Sequence, residues 1–207
     1  KQIRVRGDWQ VKRPAATPGG WPFEFANDYY PDIDDTAVVP LALQGIATAG
    51  TPYEARCTRC AIDWLLHMQC RCGGWAAFDV DNDMQALAHV PFADFVTPLD
   101  PPSADVTAHV VELLARQGYR PSSGPLQRAL AYLYAEQEQS GAWFGRWGVN
   151  YVYGTAAVLC ALQASGEPLE SEPVQRAVRW LLQHQNSDGG WGETCATYED
   201  PTLQGTG

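Results

Sequence analysis

Residues 180–191 read WLLQHQNSDGGW, and the same frame occurs twice earlier, as WLLHMQCRCGGW at 64–75 and YLYAEQEQSGAW at 132–143. Each copy is Q-x-x-x-G-x-W: Gln69, Gly73 and Trp75, then Gln137, Gly141 and Trp143, then Gln185, Gly189 and Trp191. An apolar stretch with helical spacing precedes every copy. The pattern predicts a helix stopped by Gly in a left-handed cap, a tryptophan folded back over the helix end, and a glutamine bonding backbone groups of the turn. Gln2 and Trp9 form a weaker echo with one extra residue between them. Further helical runs, TAVVPLALQGIA, ADVTAHVVELLARQG and GTAAVLCALQASG, lie between the copies, and the last two end in Gly where a helix stop belongs. Few segments alternate as strands do. Repeated helix pairs stack around an axis as a toroid or solenoid whose helix starts can line a central cavity. The chain reads as all-α.

Composition narrows the function. The 207 residues carry a net charge of -10, which argues against a nucleic-acid partner, whose phosphates need a basic surface. Eight Trp, nine Tyr and six Phe make the chain rich in aromatic faces. No apolar run reaches the roughly 20 residues of a membrane span. A chain that starts at Lys1 without Met and stops in YEDPTLQGTG reads as an internal portion of something longer. Of the six cysteines, Cys57 and Cys60 form C-x-x-C, and Cys70 and Cys72 form C-x-C, with His67 nearby. RCAIDWLLHMQC reads as one amphipathic helix that would hold the two pairs two to three turns apart. Buried free thiols in a reduced, cytosolic setting are therefore expected rather than a zinc site or disulfides.

The stretch YYPDIDDTAVV at 29–39 places Asp32, Asp34 and Asp35 within four residues, directly before an apolar run. Asp32 and Asp35 read as helix N-caps. The crowding also suits a second use. In a dry pocket, desolvation and like-charge repulsion keep a carboxyl protonated and ready to give its proton away. Asp79, Asp81 and Asp83 form a D-x-D-x-D, but the Gly and Glu that complete a calcium loop are missing. It reads as a loop with turn-forming acids, and no metal ligand is assigned.

The repeat resembles the QW motif of the triterpene cyclases, and D-x-D-D-T-A at 32–37 resembles the acid motif of the squalene–hopene cyclase branch. GDWQVKRP, GGWAAFDVDND, DVTAHVVE, GAWFGRWGVNYVYGT and DGGWGETCATYEDP fit the same family, in order, over essentially all 207 residues. The resemblance implies an α/α toroid. Residues 1–207 would form most of the catalytic barrel domain of a longer cyclase, without a second barrel domain and without the final helices. It also implies protonation of a terminal double bond of squalene, a carbocation cascade to hopene or hopanol, and no cofactor. The enzyme would be monotopic at the cytoplasmic side of the cell membrane, would take its substrate from the lipid, and could assemble as a homodimer. The isolated portion would be inactive.

By the same resemblance the middle acid, Asp34, is the proton donor, flanked by Asp32 and Asp35. His109, in DVTAHVVE, aligns with the histidine that bonds the donor. Asp105 lies four residues earlier, one turn away on the same helix face, where it could orient the imidazole and favour its charged form. Phe23, Phe78, Trp147 and Tyr153 align with residues that line the cavity, where aromatic faces stabilise a passing cation by about 0.5–2 kcal/mol each. Trp75, Trp143 and Trp191 are expected in the core. Two other readings stay open. One is a protonating cyclase acting on another polyprenoid or a diterpene diphosphate; the other is a noncatalytic toroid that binds prenyl groups or proteins. The oxidosqualene branch is set aside, because its acid motif reads D-C-T-A.

Where the family commonly has Tyr, this chain has Phe78, which keeps the π face and lacks the hydroxyl. A larger share of prematurely terminated products is the expected consequence. Comparing the product profiles of the native protein and Phe78→Tyr tests it, and an unchanged profile would sink the idea.

Overall fold

The computed structural model describes residues 1–46, 50–83 and 99–207, and among these residues every regular element is helical. Six α-helices follow in order: α1 Ile33–Gly45, α2 Pro52–His67, α3 Ala104–Arg116, α4 Gly124–Ala135, α5 Tyr151–Ala164 and α6 Glu172–Gln183. Ala47, the last residue of the run TAVVPLALQGIA, lies outside the described residues. The chain forms two compact units, Lys1–Pro102 and Ser103–Gly207. Among the described residues no helix is long and apolar enough to cross a membrane.

In the first unit α1 packs on α2. Thr51 and Glu54 start α2 with reciprocal side-chain and backbone bonds, and Pro52 occupies the first helical position, where its missing N–H costs nothing. Cys57, Ala61, Trp64 and Leu65 recur at helical spacing and are buried. In the second unit α3 packs chiefly on α5 and also on α4. Nine of its thirteen residues are buried, so it is the central helix of this unit. Both α3 and α5 end as expected. Gly118 and Gly166 adopt positive φ, while the amides of Tyr119 and Glu167 reach back to the carbonyls of Leu114 and Leu162.

The repeat works as a helix closure, with two differences from the sequence expectation. Helices α2, α4 and α6 end at His67, Ala135 and Gln183, so the repeat Gly is not the cap itself. It lies in the following turn, where Gly73, Gly141 and Gly189 take φ of 100°, 97° and 89°. The predicted single helix through Gln69 and Cys70 therefore stops at His67, and both residues belong to the turn. Each repeat Gln donates to the carbonyl of its Gly, at 2.7, 2.9 and 2.7 Å. Each indole N–H donates to a carbonyl ten residues earlier: Trp75 to Leu65, Trp143 to Leu133 and Trp191 to Leu181, at 2.7, 2.6 and 2.8 Å. These carbonyls lie in the last helical turns, where those of Leu65 and Leu181 also accept the amides of Met68 and His184.

Trp75 and Trp143 are fully buried, but Trp191 is 44% exposed and does not sit in the core as expected. Helix α5 follows Trp143, and its Thr155 hydroxyl accepts the Trp143 amide. Among the described residues, two short 3₁₀ turns, Cys195–Tyr198 and Pro201–Leu203, follow Trp191. The echo at Gln2 is half a repeat. Its amide donates to Gly19 and Cys57 carbonyls at 2.7 and 2.8 Å, whereas the buried Trp9 indole N–H has no hydrogen-bond partner among the described residues and lies edge-on to Trp64.

Gln137 bridges its own turn to the start of α6 by also donating to the Pro173 carbonyl at 2.9 Å. Gln137→Ala removes both bonds and is expected to cost about 1–3 kcal/mol at roughly 0.5–1.5 per bond. Gln185→Ala, at an exposed turn, is expected to cost less than half of that. Urea denaturation of the full-length protein followed by tryptophan fluorescence checks the order, and equal losses would contradict it.

Candidate active site

In the first unit the acid triplet opens α1. Asp32 is the N-cap: its Oδ1 accepts the Asp35 amide at 2.8 Å. Asp35 is therefore not itself a cap; with Asp34 it occupies the first turn. Two loops clamp this turn. The Asp32 amide donates to the Trp21 carbonyl and the Ile33 amide to the Ala77 carbonyl, both at 2.8 Å. The Thr36 hydroxyl accepts the Trp21 amide at 2.8 Å and donates to the Asp32 carbonyl at 2.5 Å. Phe23 lies two residues beyond one clamp and Phe78 one residue beyond the other. Both are exposed, at 79% and 37%, and both line a cavity of about 420 Å³ with Tyr30 and Asp100.

Asp100 fixes the Phe78 loop. Its carboxylate accepts the amides of Ala77, Phe78 and Asp79 at 3.2, 2.7 and 2.8 Å. The loop's far end is held by GDWQVKRP, in which Lys12 donates to the Val80 carbonyl and Arg13 pairs with Asp81. Arg13 also donates to the His67 carbonyl that α2 leaves open. The D-x-D-x-D is thus a cation-tied turn, with Asp81 at φ 52°. Among the described residues no group of three metal-binding side chains gathers. The Cys70 sulfur accepts the Asp81 amide at 3.3 Å, and burial pushes this thiol up to about 11.

The electrostatics of the triplet are decided by burial. Asp32 is only 6% exposed, and desolvation pushes its carboxyl from 3.8 up to about 7, with the charges of Asp35 and Asp34 adding to the rise. Amide donors at the helix start oppose it. A helix N-terminus favours a carboxylate by about 0.3–1 kcal/mol, less than one pK unit at about 1.4 kcal/mol each, so burial prevails. Asp35 is raised as well, by burial first and by the Asp34 charge second.

The second unit brings together the other four predicted residues. Asp105, on α3, is fully buried, and its Oδ2 accepts the Trp147 amide at 2.7 Å. Its hydrogen bond thus runs to the backbone of the aromatic loop, while Oδ1 is buried with no hydrogen-bond partner among the described residues. His109, one turn later, is half-buried and meets the Tyr153 ring edge-to-face at 6.2 Å and 75°. Trp147 is 51% exposed.

Two anchoring residues carried no sequence signal. Asp100 is one. Glu193 is the other: its Oε2 accepts the amides of Asn150 and Val152 at 3.0 and 2.8 Å, and its Oε1 that of Gly205 at 2.9 Å. Glu193 thereby caps the start of α5, which carries Tyr153, from about forty residues away.

The family model described as the squalene-hopene cyclase C-terminal domain matches residues 1–207. The squalene–hopene cyclase of Alicyclobacillus acidocaldarius is 54% identical over 207 residues, covering 100% of this chain and 33% of that protein. That of Zymomonas mobilis is 47% identical over 199 residues, covering 95% of this chain and 30% of its own length. The chain thus spans about a third of the length of these curated relatives. Among solved structures, a single-substitution variant of the type II terpene cyclase MstE from Scytonema, in complex with its substrate geranylgeranyl dihydroxybenzoate, matches with a TM-score of 0.62 at 22% identity. That match covers 90% of this chain and 49% of that one, and it shows the all-α terpene-cyclase fold.

Asp32 gives a pH signature. The native state keeps its proton up to about pH 7, whereas the unfolded chain releases it near 3.8. The native state binds the extra proton in that window, so this contribution to stability is full below about 3.8 and is lost as pH rises through about 7. Asp32→Asn keeps the cap and removes the titration. Relative to wild type, it should gain a few kcal/mol between about pH 5 and about pH 8. Denaturation curves of both proteins at the two pH values check this, and parallel behaviour would refute it.

Proposed function

Because the chain belongs to the squalene–hopene cyclase C-terminal domain family, we propose that it is part of an enzyme that cyclises squalene to hopene or hopanol. The observation that carries the reading is the acid triplet opening α1, whose N-cap member Asp32 is buried, in the same unit as an aromatic-walled cavity; burial raises that carboxyl to about 7. An isolated alkene is a very weak base, so its acid must be protonated at rest and strong when used. Burial and neighbouring carboxylates supply the first condition.

Asp34 takes the role of donor, with Asp32 and Asp35 keeping a proton within the triplet. His109 takes the role of the cation that favours the conjugate base, and Asp105 supports the loop that carries Trp147. The C–C double bond takes the proton, leaving a tertiary cation that each further double bond attacks in turn. Phe23 and Phe78, like Trp147 and Tyr153, offer π faces that stabilise the moving charge without bonding to it. Exclusion of water keeps the cation from being quenched early. Loss of a proton at the end gives the alkene, and capture of water gives the alcohol. Squalene partitions into lipid, so the reading includes peripheral attachment of the enzyme to the cytoplasmic side of the membrane.

The test is gas chromatography–mass spectrometry of the full-length protein incubated with squalene in detergent and a chelator, beside Asp34→Asn. A pentacyclic product that falls at least about 100-fold in the variant supports the reading. Well-folded protein that leaves squalene intact would move the assignment to another polyprenoid, the neighbour's prenylated aromatic substrate being the first to try.

A further inference from the structure

We propose that Tyr198 is a positioning residue for Trp147 and thereby a determinant of which products form, a role that rests on the reading of Trp147 as a cavity residue. Trp147 lies in a loop outside any helix and is about half exposed. Its backbone, in contrast, is held from three sides. The Tyr198 hydroxyl lies 2.8 Å from the Gly148 carbonyl and 3.3 Å from that of Arg146, the residues flanking Trp147. Asp105 takes the amide of Trp147 itself.

The third side is the Tyr153 ring. A Cβ added to Gly148 would lie 2.5 Å from it, so the loop backbone rests directly on that ring, and glycine is what permits the approach. Trp147 and Tyr153 are therefore set against each other by backbone contact, and Tyr198 holds the loop in place. Tyr198 is itself located by an edge-to-face contact with Phe144, at 5.8 Å and 84°. Burial, followed by the charge of Asp105, raises its hydroxyl above the usual phenol value, so it stays a donor.

Removing this one hydroxyl frees two carbonyls beside Trp147 and keeps the ring that meets Phe144. A cation–π contact depends on the charge lying within about 6 Å of the ring, and small displacements of positioning groups carry large rate effects. The cations that pass this ring would then be stabilised less well, and the chain of ring closures would stop early more often.

The experiment uses full-length protein labelled with 5-fluorotryptophan, wild type and Tyr198→Phe, with the Trp147 fluorine line assigned through Trp147→Phe. In Tyr198→Phe the Trp147 line should shift or broaden while the other lines stay. With squalene, the share of incompletely cyclised products should rise at least about threefold, with kcat falling more than KM changes. An unmoved Trp147 line together with the wild-type product ratio overturns the proposal. Should the wild-type protein leave squalene untouched, the proposed function fails separately, and the fluorine line alone decides: a moved line supports the positioning role and an unmoved one overturns it.

Discussion

A helix end leaves backbone groups that nothing inside the helix can satisfy, and this chain meets that constraint with side chains brought from outside. Three indole N–H groups close the ends of α2, α4 and α6 at 2.6–2.8 Å. Glu193 closes the start of α5, and Asp32 the start of α1. Each such bond contributes about 0.5–1.5 kcal/mol and helps fix where the adjoining turn runs. The irregular segments that carry Phe23, Phe78 and Trp147 inherit that precision. Trp21 and Ala77 tie two of them to the Asp32 turn, and Asp105 ties the third to α3.

The same economy puts a carboxyl where water does not reach it. A helix start draws negative charge, and Asp32 occupies one, yet its burial outweighs that attraction. The cap survives protonation, because Oδ1 can still accept the Asp35 amide while the other oxygen carries the proton. Structure and chemistry thus ask the same of this residue. An acid held against water for packing reasons is also one that keeps its proton, two residues from the Asp34 proposed as donor.

The repeat was legible because its three residue types recur at fixed spacing, and a helix end needs a donor and a reversal at a fixed distance. The all-α class followed from that. Gly73 was misplaced as the cap because periodicity does not show where a helix stops within a turn of its last apolar residue, and α2 gives out at His67. Asp32, Asp34 and Asp35 were visible as a crowd, but which one caps depended on the backbone of Trp21 and Ala77 arriving beside them. Asp100 and Glu193 were illegible for a plainer reason: between them they serve amides 12 to 43 residues away, and a lone acid in a loop carries no mark of that. Trp191 shows the limit of the repeat itself, which fixes the hydrogen bond to Leu181 but not the burial of the ring.

The claim at the centre is that Asp32 carries a proton near neutral pH. Infrared difference spectroscopy of the full-length protein, wild type against Asp32→Asn, reads this from the carbonyl stretch of a protonated carboxyl. At about pH 6 the account predicts a buried-acid band in wild type that is lost in the variant and fades as pH rises through about 7. A wild-type spectrum showing only carboxylate at this position would contradict it.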